Sequence, residues 1–134
     1  MDRQTVEHLR AAERNRDIAR ALLATGLAAP APPPWDWVAI IAFYAAVHYV
    51  NAYLWETARY KPDKHSRRAA RVRQDWRIRR CRASYARLQT FGYQARYEPV
   101  FAVVEQEARA PVDVDLRRVE TTVLAALGQP TPRW

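Results

Sequence analysis

Apolar residues in this 134-residue chain recur at intervals of three and four, and no run alternates strictly between turn signals. That period predicts an all-α fold. A first helix is predicted over residues 4–25, with Leu9, Ala12, Ala19 and Leu23 on one stripe and Gly26 at the C-cap. The proline-rich run 28–34 then reads as a stiff connector that reverses the chain between two antiparallel helices. The second helix starts at Trp35 or Asp36, ends near Arg59, and carries no charged residue from Trp37 to Trp55. Three tyrosines, a histidine and an asparagine interrupt that stretch, which suits a bundle helix packed on several sides better than a membrane span. Its small residues Ala39, Ala42, Ala45, Ala46 and Ala52 allow close approach of neighbouring helices, from the same chain or a second copy.

After a loop at Tyr60–Lys64, a third helical region is predicted over Ser66–Phe91. Its stripe Ala69, Val72, Trp76 is out of phase with Ile78, Cys81, Tyr85, Leu88, so a kink or change of packing partner is expected near Trp76 to Ile78. Gly92 is read as the stop. Pro99 opens a short helix through about Arg109, Pro111 separates it from a last helix with Leu116, Val119, Val123 and Leu127 buried, and Gly128 ends that one. The result is an up-and-down bundle of four to five helices in a single domain spanning 1–134, with residues 129–134 frayed.

Composition adds a location for charge. The chain carries a net +8, and nine arginines between His65 and Arg87 against the single acid Asp75 account for as much by themselves. Concentrated arginine is the footprint of a polyanion-binding face, although 20 arginines against two lysines also fits a codon bias and a merely solvated surface. One cysteine, Cys81, excludes an intrachain disulfide. The amino terminus lacks the apolar core of a secretory signal, so a cytoplasmic location is expected. Three histidines with no His-x3-His or Glu-x-x-His spacing make no ligand set, and neither metal nor other cofactor is expected.

Chemistry is expected where the uncharged helix meets the arginine-rich one. Tyr44, His48, Asn51 and Trp55 fall at i, i+4, i+7 and i+11, a polar stripe that either lines a water-filled site or is satisfied within the bundle. His65 and Arg68, at i and i+3 at the start of a helix, share a face and are placed to bind phosphate, or form only a local capping contact. Arg96, flanked by Tyr93 and Tyr97, adds a stacking and phosphate contact in the same cleft or pairs with Glu98 or Glu105.

The block Trp37–Leu54, above all Phe43-Tyr44-Ala45-Ala46-Val47-His48-Tyr49, with His65-x-x-Arg68, Tyr85-x-x-Leu88 and Ala95-Arg96-Tyr97, resembles the HEPN superfamily over residues 4–127. The resemblance implies a dimerising helical bundle, many relatives of which are metal-independent endoribonucleases of toxin–antitoxin and defence systems. Their motif, arginine followed four to six residues later by histidine, matches Arg59-x5-His65. His65 would then do acid–base work and the arginine would steady the phosphate while the ribose 2′-OH attacks, leaving a cyclic phosphate. Pro62 lies inside that interval and breaks a helix, which shifts weight to His65 and Arg68; Arg3-x4-His8 matches the same spacing and is read as accidental. On this reading His65, Arg59 and Arg68 are the working residues. His48, Asn51, Tyr44 and Arg96 support the cleft, and Arg67 and Arg71 contact RNA. The other reading is a catalytically silent module that binds RNA, a nucleotide or a protein partner such as a nucleotidyltransferase-like antitoxin.

Overall fold

In the computed structural model, which describes residues 1–25, 35–98 and 105–134, every regular element is helical. Helix α1 spans Arg3–Thr25, α2 Trp35–Ala58, α3 His65–Gln74, α4 Arg82–Tyr97, α5 Glu105–Ala110 and α6 Arg117–Ala126. A one-turn 3-10 segment, Arg79–Cys81, precedes α4, and a π-helical segment, Pro111–Leu116, joins α5 to α6. The expected Gly26 cap, the 28–34 connector and the start of a helix at Pro99 lie outside the described residues.

Asp2 begins α1 because its carboxylate accepts the Gln4 N–H at 2.8 Å, satisfying a donor the helix itself leaves unpaired. Leu9, Ala12, Ala19 and Leu23 are buried, as their spacing predicts. At the same end Thr5 Oγ1 and the Asp2 N–H both donate to Glu56 Oε2, at 2.6 and 3.1 Å. Those bonds tie the start of α1 to the end of α2, so the two helices run antiparallel. Helix α2 is the axis of the bundle, packing against α1, α4, α6 and the π segment, and all five of its small residues named above are buried. It is long and apolar enough to cross a membrane, and 72% of its most apolar stretch is buried inside the protein.

Arg59 ends α2 in the left-handed region at φ 50°, the single non-glycine residue there among those described. The Tyr60 N–H then reaches back to the Leu54 carbonyl at 3.2 Å. Helix α3 stops at Gln74, and the anticipated phase break is real: Asp75 is extended, its Oδ1 accepts the Arg77 N–H at 3.0 Å, and its Oδ2 accepts the Tyr53 hydroxyl at 2.8 Å. Ile78, Cys81, Tyr85 and Leu88 are buried beyond it, whereas Trp76 departs from the expected stripe and stands 73% exposed. The turn has rotated it off the core side.

Two expected breaks are not breaks. Gly92 lies inside α4 and faces Phe43, where an added Cβ would stand 2.9 Å from the Phe43 Cβ; its role is close helix approach. Pro111 starts the π segment within a helical stretch that continues from Glu105 to Ala126. A proline removes one donor and crowds the carbonyl four residues back, and the wider π turn accommodates both. Gly128, at φ 67°, ends α6 with Gln129 N–H to Leu124 O at 2.8 Å, as expected from a C-terminal glycine. The tail after it is anchored: Trp134 Nε1 donates to Glu120 Oε1 at 2.6 Å, and Arg20 and Arg117 stand over its ring. Glu120, 0% exposed, also accepts from Arg16 Nη1 at 2.7 Å and from the Tyr49 hydroxyl. One hydrophobic cluster runs through α1, α2, α3, α4, the π segment and α6.

Candidate functional site

The four residues of the α2 polar stripe, Tyr44, His48, Asn51 and Trp55, are all half-buried, so the stripe sits along the edge of the core. Asn51 receives the first strong contact across it. Arg68, one turn into α3 and only 6% exposed, donates from Nε to Asn51 Oδ1 at 2.7 Å, and its Nη1 lies 2.9 Å from His65 Nδ1. Because a guanidinium can only donate, His65 Nδ1 must carry the lone pair. The imidazole is therefore neutral, with its proton on Nε2. Burial, then the charges of Arg68 and Arg96, hold His65 below the usual histidine value, in agreement with that tautomer. The ring also rests near Phe43, with centroids 5.2 Å apart.

Arg68 has no carboxylate partner among the described residues. Its neighbour Tyr85 has a buried hydroxyl without a hydrogen bond, pushed up to about 12 by burial and eased back by the Arg68 charge. A buried cation with neutral partners projects its charge outward.

His65 stands at the mouth of a groove of about 1030 Å³ walled by α2, α3 and α4. Phe43, Ile40, Val72 and Tyr85 give it an apolar floor, while Arg73, Arg82 and Arg96 stand along it with Glu98 as the single acid among the described lining residues. Arg96 donates to the Tyr44 hydroxyl and lies 5.2 Å from the Tyr97 ring; Tyr97 in turn packs on Tyr93 at 4.9 Å, and both tyrosines are exposed. Gly92 lines the groove too, which links the close α2–α4 approach to its floor.

The remaining expected residues have other surroundings. Arg59 pairs with Asp2 at 3.5 Å and stacks over Trp55 at 5.7 Å, so its contacts lie at the amino terminus and not at His65. Arg67 pairs with exposed Asp63 at 2.8 Å, and Arg71 lies over the Tyr60 ring at 4.5 Å. His48 turns toward α1, where its Nδ1 is 3.0 Å from His8 Nδ1. Both rings are held below the usual value, His48 by burial and then by His8 and Arg68, His8 by burial and then by Lys61 and Arg68. That pairing joins residues 40 apart in sequence. No cluster of three or more metal-ligating side chains occurs among the described residues.

Arg73 and Arg82 were not singled out by sequence, and Phe43 was noted only as part of the Phe43–Tyr49 block and not as a groove residue. The only prior signal was the arginine-rich composition of the segment, which does not tell which arginines turn toward the groove. No family model, curated protein or solved structure matches the chain.

Proposed function

We propose that this chain is a HEPN-like module that binds single-stranded RNA in the groove between α2, α3 and α4. The observation that carries this reading is the lining: among the described residues, three arginines and an exposed tyrosine pair over an apolar floor, with one acid. Single-stranded nucleic acid is held by that combination, arginines along the phosphates and aromatic faces under the bases. His65 contributes a neutral Nε2–H donor suited to a phosphate oxygen.

The same tautomer favours binding over turnover. A general base must offer a lone pair, and the His65 lone pair is occupied by Arg68, while Arg59 is engaged with Asp2 and Trp55. Binding is tested by anisotropy of a labelled single-stranded RNA over a salt series. Each lost phosphate contact flattens the salt slope by about 0.7, so Arg82→Ala with Arg96→Ala lowers it by about 1.4 and weakens binding. Unchanged affinity and slope would discard the groove. Incubation of wild type and His65→Ala with RNA and a chelator separates the nuclease reading: cleavage by the first and not the second overturns a binding-only role.

A further inference from the structure

A second basic and aromatic surface lies on the far side of the turn that follows α3. Trp76 is the most exposed large apolar residue described, at 73%, and Arg77 stacks over its indole at 5.4 Å. Around them Arg80 from the 3-10 turn and Arg117 and Arg118 from α6 border a hollow of about 850 Å³, in which Asp113 is the one acid among the described lining residues. None of these residues belongs to the groove.

The indole is held out by design of the turn. Asp75 fixes the backbone by accepting from the Arg77 N–H and from Tyr53 on α2, and Ile78 and Cys81 are buried just beyond. Trp76 is thus flanked by anchored neighbours, and its ring is presented without a mobile loop to order on binding. Leaving an indole in water forgoes a large burial gain, and the position is otherwise surrounded by charge. Aromatic face plus arginines is a stacking platform with phosphate clamps.

The two surfaces adjoin through the chain. Arg73, on one side of the turn, and Arg82, on the other, line the groove, while Trp76, Arg77 and Arg80 between them line the hollow. We infer that a single-stranded nucleic acid leaving the groove continues over this turn, stacking a base on Trp76 and placing phosphates on Arg77, Arg80, Arg117 and Arg118. This rests on the RNA-binding reading and extends its footprint. Charge complementarity favours a polyanion strand over a lipid surface, because among the described residues Trp76 and Val114 are the only exposed large apolar groups bordering the hollow.

The test uses intrinsic fluorescence with a short oligouridine. Titration quenches the wild-type emission, and Trp76→Phe removes that change while keeping a ring to stack on. Trp76→Ala weakens binding roughly 5- to 150-fold, the range for losing one stacked base. Arg117→Glu with Arg118→Glu weakens it and flattens the salt slope. Far-ultraviolet circular dichroism checks that these exposed variants remain folded. Wild-type affinity in Trp76→Ala and in the double reversal, alongside loss in Arg82→Ala with Arg96→Ala, overturns the inference and leaves the groove standing. Quenching of Trp76 by phosphatidylserine vesicles but not by oligouridine overturns it as well. Absence of RNA binding by the wild type overturns both.

Discussion

Arg68 carries a permanent charge into a site where its partners are an amide and a neutral imidazole, and that arrangement makes His65 a donor. Replacing the charge with a side chain of similar length removes the second largest cause of the His65 shift, after burial. In Arg68→Met the His65 midpoint, read by NMR titration of its ring protons, therefore rises toward the ordinary value. An unmoved midpoint would mean that burial and Arg96 set it without Arg68. Arg59 makes the opposite case, a residue held by backbone geometry. A left-handed non-glycine residue costs about 1–2 kcal/mol, and glycine returns about 0.5–1 of that through its freer unfolded chain. Arg59→Gly is expected to raise stability by roughly 0.5–1 kcal/mol in urea melts without loss of RNA affinity. A loss of affinity would restore Arg59 to the site. The His65–Arg68 pair was legible in sequence because i, i+3 spacing on a helix fixes proximity locally. The His8–His48 pair was not, because it depends on how α1 is set against α2, which no local spacing encodes.

At the level of elements, periodicity recovered the helices and most buried stripes, since burial of one face imposes its period on the sequence. Punctuation was less informative. Glycine serves both to end helices and to let them touch, and Gly92 does the second; proline breaks an α-helix, and at Pro111 the chain widens to π geometry instead. A methyl group at Gly92 must push Phe43 and so disturb both α2–α4 packing and the groove floor. Gly92→Ala is expected to cost about 1–3 kcal/mol by overpacking and to weaken RNA binding with it. Equal stability of the variant in denaturant would show that the helices can separate freely. The Glu120 network has the larger stake, because its carboxylate is the shared acceptor of Arg16, Tyr49 and Trp134 from three parts of the chain. Glu120→Ala leaves Arg16 with Asp17 alone and removes the acceptor of the buried Tyr49 hydroxyl, and is expected to cost about 1–3 kcal/mol, the range for stranding a buried donor.

Across the whole molecule, all three histidines are shifted the same way, and the consequence is collective. His8, His48 and His65 each bind a proton less readily in the folded chain than at the ordinary value of 6.5. Below that value the unfolded chain takes up more protons than the folded one, so stability is full above it and falls as pH drops from about 6.5 through the lower folded midpoints. The carboxylates act in a second window: hydrogen bonds from Trp55 and Thr5 hold Asp2 and Glu56, respectively, below their usual range, and their share is lost only at more acidic pH. Lys61 and Arg68 face the His8–His48 pair, and their charge opposes its protonation more than Glu7 assists it. The melting temperature is therefore expected to fall between about pH 7 and pH 5, before Asp2 and Glu56 titrate. Replacing His8 and His48 by glutamine should flatten that part of the profile and leave the lower one in place. A wild-type melting temperature that is level across the histidine window would show that the rings are as easily protonated folded as unfolded. The lowered His65 midpoint would then have to be given up, and the Nε2–H donor would rest on the Arg68–Nδ1 contact alone.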